Sequence, residues 1–104
     1  MPRPLTTVAT IAGTTFSATG TGTALFVRGG FNIALGPFVG TIKLQRQESA
    51  GNWLDVSRDS AGTLLSWSSG GFALSWEERG QQGAFYRLVC VALTSGTPYC
   101  ELSS

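Results

Sequence analysis

The sequence predicts an all-β protein, a single antiparallel β-sandwich of the Ig-like or jelly-roll-like kind. It should contain about seven to nine short strands and an extended N-terminal segment. Three observations carry the prediction. Apolar and polar residues alternate with a period of two in the clearest segments. Gly-, Ser- and Asn-rich breaks recur about every eight to twelve residues. No stretch places apolar residues at the spacing of three to four that a helix needs.

Residues 38–56 are the clearest element. In FVGTIKLQRQ, Phe38, Ile42 and Leu44 share one parity, and Val39, Thr41, Lys43, Gln45 and Gln47 share the other. Side chains alternate across a strand, so one face is apolar and the other mostly polar. The polar run 48–52 (ESAGN) is a turn, with Gly51 and Asn52 able to take a positive φ. Residues 53–56 return as a second strand, and parity leaves open whether Trp53 or Leu54 faces inward. A lone hairpin is marginal in water, so its apolar face requires cover from a second sheet.

The remaining elements follow in chain order. Residues 1–22 form an N-terminal arm or an edge strand: Val8 and Ile11 could anchor a strand over 6–11, and another could lie at 14–17. Residues 23–104 form the sandwich. Residues 24–27 are a strand ended by Arg28-Gly29-Gly30. Phe31, Ile33 and Leu35 alternate with Asn32 and Ala34 in the next. Residues 63–67 and 72–77 read as a hairpin with Gly70-Gly71 at its tip. Residues 78–83 read as a loop. Residues 84–93 are apolar on both parities, which fits the middle of a sheet or an interface. Residues 94–98 turn the chain into a last strand at 99–102. If that turn closes a hairpin, Cys90 and Cys100 lie nearly opposite each other as a possible cross-strand pair; the competing reading is two buried thiols that act as small hydrophobes.

Composition bounds function. A chain of 104 residues is one domain with room for one core. Charged residues make up 12%, about half the usual share. Either part of the surface is covered in an assembly, or the domain is simply weakly charged. The net charge of +1 and the scattered arginines give no stripe for nucleic acid. No apolar run suits a helical membrane span or the core of a signal peptide.

The chemistry-bearing residues point away from catalysis, and no cofactor or metal is expected. The sequence has no histidine, which removes the commonest general base and metal ligand. Two cysteines without histidine do not make a structural zinc site. Glu77 and Glu78 would face opposite sides of a strand, and Asp55 and Asp59 lack calcium-loop spacing. These carboxylates read as solvated or salt-bridged. Arg46 is expected to pair with Glu48 or Asp55. Trp53, Trp67 and Trp76 could form a sugar-stacking platform or an interface, although filling the core is the simpler role.

Two strings, GGFNIALGPFVGTIKLQRQESAGNWLDV and GAFYRLVCVALTSGTPYCELS, resemble a group of small β-sandwich virion proteins of tailed bacteriophages. The matching positions are Gly30, Phe31, Asn32, Gly36, Phe38, Gly40, Thr41, Leu44, Gln45, Arg46, Gly51, Trp53 and Val56. Tyr86, Arg87, Leu88, Cys90, Thr94, Ser95, Gly96, Thr97 and Leu102 follow in the second string. The match covers about half the chain and departs from the group's pattern at Gln47-Glu48 and at Cys100. The resemblance implies a non-enzymatic virion protein, made in the host cytoplasm. It would be a capsid decoration (cement) protein on the outer head surface, or else a head–tail or tail-associated subunit. Its implied partners are the major capsid protein or other virion proteins, and copies of itself in a symmetric assembly, with no nucleic acid and no membrane. Contact candidates are Arg3, Leu5 and Val8 in the arm and Trp67, Phe72 and Trp76 as exposed aromatics. The rival reading is a sandwich that binds host-surface glycans. The resemblance carries over no catalytic residue.

Overall fold

Burial follows the two-residue rhythm of the sequence. In a computed structural model that describes residues 11–104, Phe31, Ile33 and Leu35 of one strand are buried, as are Phe38 just before the next strand and Ile42 and Leu44 within it. They face each other between two antiparallel sheets, in a core that also takes in Phe16, Leu25, Val27, Leu65, Tyr86, Leu88 and Leu102. The fold is the expected all-β sandwich.

The described residues form ten strands, slightly more than expected. They are β1 (Ile11–Thr15), β2 (Gly20–Thr21), β3 (Leu25–Val27), β4 (Gly29–Leu35) and β5 (Val39–Gln47), followed by β6 (Trp53–Asp55), β7 (Ser66–Ser69), β8 (Phe72–Glu78), β9 (Ala84–Ser95) and β10 (Tyr99–Ser103). The first sheet runs β1-β10-β4-β8. The second runs β2-β9-β5-β6, with β3 also on β9 and β7 also on β5. β1 is thus an edge strand of the first sheet, and residues 1–10 lie outside the described region.

Two expected hairpins are sheet-to-sheet crossings instead. β7 pairs with β5 while β8 pairs with β4, so Gly70-Gly71 turns the chain from one sheet to the other. A Cβ at Gly70 would run into the carbonyl of Gly36 and the ring of Phe38, and Gly71 has φ +91°. A close approach and a left-handed turn therefore demand both glycines. Likewise β9 lies in the second sheet and β10 in the first, so residues 96–98 bridge the sheets. Cys90 and Cys100 are not hairpin neighbours. They are free, buried thiols on the inner faces of opposite sheets.

The hairpin β5–β6 forms as read. Glu48 N–H donates to Asn52 O at 2.8 Å and Gly51 N–H to Glu48 O at 2.9 Å, with Gly51 at φ +95°. β9 holds the middle of its sheet between β5 and the short strands β2 and β3. Its inward side chains are Ala84, Tyr86, Leu88 and Cys90; outward, Phe85 is 43% and Val91 49% exposed.

Candidate interaction surface and cleft

The outer face of the β9 sheet combines a polar ladder with apolar ends. Opposite residues Gln45 and Arg87 point outward across β5 and β9, and Gln45 also faces Asp55 on β6. Arg87 Nε donates to Gln45 Oε1 at 2.9 Å, and Gln45 Nε2 donates to Asp55 Oδ1 at 2.9 Å. Lys43 Nζ lies 2.8 Å from the same carboxylate oxygen. The Lys43 ammonium and then the Gln45 amide hold Asp55 below the usual carboxylate range. Arg87 stacks 4.1 Å above the Trp53 ring, which settles that Trp53 belongs to this outer face. Leu54 has the opposite parity, yet at the sheet edge it remains 55% exposed.

Phe26 and Phe85 meet edge to face at 5.2 Å at one end of the ladder, with Arg28 5.9 Å from the Phe26 ring. Val39 and Val91 stand exposed toward the other end. Aromatic and aliphatic groups thus stand exposed beside arginines on this face, with some of its charge neutralised internally.

A second feature lies where the sheets part beside β8. The Glu78 carboxylate, buried at the end of β8, is saturated with donors. Arg46 Nε (2.7 Å) and Tyr86 Oη (2.6 Å) reach Oε1; Arg46 Nη2 (2.9 Å) and Gly80 N–H (2.7 Å) reach Oε2. The Arg46 guanidinium, then the Tyr86 and Gly80 bonds, overcome desolvation and hold Glu78 at about 2. Burial, then the bond to Glu78, pushes the Tyr86 phenol up. Arg46 therefore pairs with Glu78, rather than with the expected Glu48 or Asp55. Glu48 instead accepts the Ala50 and Asn52 amides of its own turn.

This network forms the floor of a cleft of about 800 Å³. Ser75, Trp76 and Glu77 of β8 contribute to its lining, and Ser57, Arg58 and Asp59 of the loop after β6 form a rim. The rim is fixed by the Asp59 carboxylate, which accepts Ala61 N–H at 3.0 Å and Thr63 N–H at 3.1 Å. The Thr63 and Ala61 bonds keep Asp59 below its ordinary pKa.

The contact residues expected from sequence separate. Trp67 and Trp76 pack against the core and are only partly exposed, so they are not free surface aromatics. Phe72 is 41% exposed at the start of β8. Arg3, Leu5 and Val8 lie outside the described residues. Sequence reading missed Phe26 and Phe85 as a surface pair, and Glu78 as an inward carboxylate. The signal for the latter was present: Glu78 shares parity with Leu74 and Trp76, and Arg46 with Ile42 and Leu44.

Comparison with known proteins gives one line of relationship. No family model and no curated protein matches the chain. Among solved structures, the fold is similar to that of the SPBc2 prophage-derived protein YomS, with a TM-score of 0.64 and 11% identity. The similarity covers 97% of this chain and 98% of that one. At this identity the likeness is one of fold.

Proposed function

We propose that this protein is a non-enzymatic structural protein of a tailed-bacteriophage virion, and within the virion a decoration protein of the outer head surface. The observation that carries the proposal is the nearly end-to-end fold likeness to a prophage-derived protein. The two resembling sequence strings and the outer face bearing Phe26, Phe85 and Val91 support it. On this reading the face lies against the major capsid protein, and its hydrophobic ends bury area across a seam between capsid subunits. Repetition over a symmetric shell would turn a modest contact per copy into a substantial gain in shell stability.

The test is deletion of the reading frame from the phage that carries it, with add-back of purified protein. The reading expects heads that form but disrupt at lower temperature, and rescue by the normal protein. Add-back of the double variant Phe26→Ser, Phe85→Ser should fail. Symmetric high-copy density on the head supports the assignment. Low-copy density confined to the tail, or unaltered heads with lost adsorption, overturns it in favour of a tail-associated or host-glycan-binding role.

A further inference from the structure

We propose that the cleft between β8 and the 57–59 rim is a binding site for a neutral saccharide. The charge pattern selects the ligand class. Three arginines and three carboxylates line the cleft, so their formal charges cancel: Arg46, Arg58 and Arg79 against Asp59, Glu77 and Glu78. Arg46 is neutralised by Glu78 and Arg79 lies 3.9 Å from Glu77, which leaves no concentrated positive field for a phosphate or sulfate. A cation finds no better home. Glu78 already accepts four hydrogen bonds, and Asp59 is committed to its own turn.

What remains is a set of donors and acceptors of both kinds beside an aromatic wall. The bidentate pair fixes the Arg46 plane and uses Nε–H and one N–H of Nη2. The other N–H groups make no side-chain hydrogen bond to the described residues, on a side chain that is 39% exposed. Such a donor is held in place before any ligand arrives, so its ordering costs little on binding. Arg58 makes no salt bridge to the described residues and adds a second donor group, and the exposed Glu77 carboxylate supplies acceptor oxygens; the Ser57 and Ser75 hydroxyls are already engaged by Asp59 and Asn32. Trp76 rests partly on the core and contributes its remaining surface to the wall, where a pyranose ring could lie on it. About 800 Å³ is room enough for a short oligosaccharide. The proposal stands independently of where in a virion the protein sits.

The test uses the isolated protein with maltotriose, cellotriose and tri-N-acetylchitotriose as neutral probes, and inorganic phosphate and a sialylated trisaccharide as charged ones. The readouts are saturation-transfer NMR and the shift of the Trp76 indole N–H signal. At least one neutral probe should bind with a Kd of about a millimolar and move that signal. Arg58→Ala should weaken binding about tenfold while leaving the melting temperature unchanged. Trp76→Phe, which keeps a ring on the core, should also weaken it. The proposal is overturned if no neutral probe shifts the indole at about 20 mM. Tighter binding of either anion, a shift confined to residues around Phe26 and Phe85, or an Arg58→Ala variant that binds normally would also overturn it.

Discussion

Replacing Glu78 with glutamine tests the reasoning about the buried network most directly. The carboxylate accepts four hydrogen bonds, two on each oxygen. Glutamine retains one acceptor oxygen and turns an N–H₂ group toward two of the former donors. In either amide orientation, two donors lose their acceptor and Arg46 loses its counter-charge. Lowering a carboxyl from 4.5 to about 2 corresponds to about 3 kcal/mol of folding stability. Solvent screening at the partly exposed Arg46 reduces this to about 2 kcal/mol. A domain of this size loses about 4–8 °C in Tm per kcal/mol, so Glu78→Gln should melt about 8–16 °C lower at neutral pH. The pH dependence supplies the sharper check. The folded-state pKa lies below the ordinary value, so the contribution is complete above about 4.5 and disappears as pH falls toward 2. Thermal unfolding followed by circular dichroism across that window should show the two proteins converging as acid is added. A variant that melts within about 2 °C of the parent at neutral pH, or a gap that persists undiminished to pH 2, would refute the assignment of Glu78 as a charged, satisfied core group.

Three further outcomes follow from the geometry. Gly70→Ala should cost about 1–3 kcal/mol in denaturant unfolding, because the added methyl meets the Gly36 carbonyl and the Phe38 ring at the corner between sheets. Cys90 and Cys100, each 1% exposed and with thiol pKa values raised by burial, should resist a thiol reagent in the native state. They should label only at the rate of unfolding, so fast labelling without denaturant would contradict their placement. Asp59→Ala should speed hydrogen exchange at the Ala61 and Thr63 amides, which lose their acceptor, while exchange in β9 stays unchanged.

The strands were legible wherever one face is dry and the other wet. β4 and β5 announce themselves through Phe31-x-Ile33-x-Leu35 and Ile42-x-Leu44. The 48–52 turn was equally plain, because its glycine and polar residues sit between two strands that pair with each other. Pairing partners elsewhere were not legible. A Gly-Gly at a hairpin tip and a Gly-Gly at a corner offer the same φ freedom, and the difference lies in which distant strand receives the next segment. That choice placed β8 beside β4 and β10 between β1 and β4. The Arg46–Glu78 pair, 32 positions apart, was hidden for a related reason. Periodicity points both side chains inward, but only the packing of one sheet on the other brings them together. The outer pair Phe26–Phe85 depends likewise on the β3–β9 register.

The position of β10 has consequences for how the molecule folds. β10 (Tyr99–Ser103) lies far along the chain from β1 (Ile11–Thr15), yet it sits inside its sheet, with β1 on one flank and β4 on the other. β1 therefore finds its sheet neighbour only through a contact of long sequence separation, the kind that forms slowly. Half of the sandwich closes only when β10 slides home, and until then β1 and β4 each present an open flank, a ready template for a foreign strand.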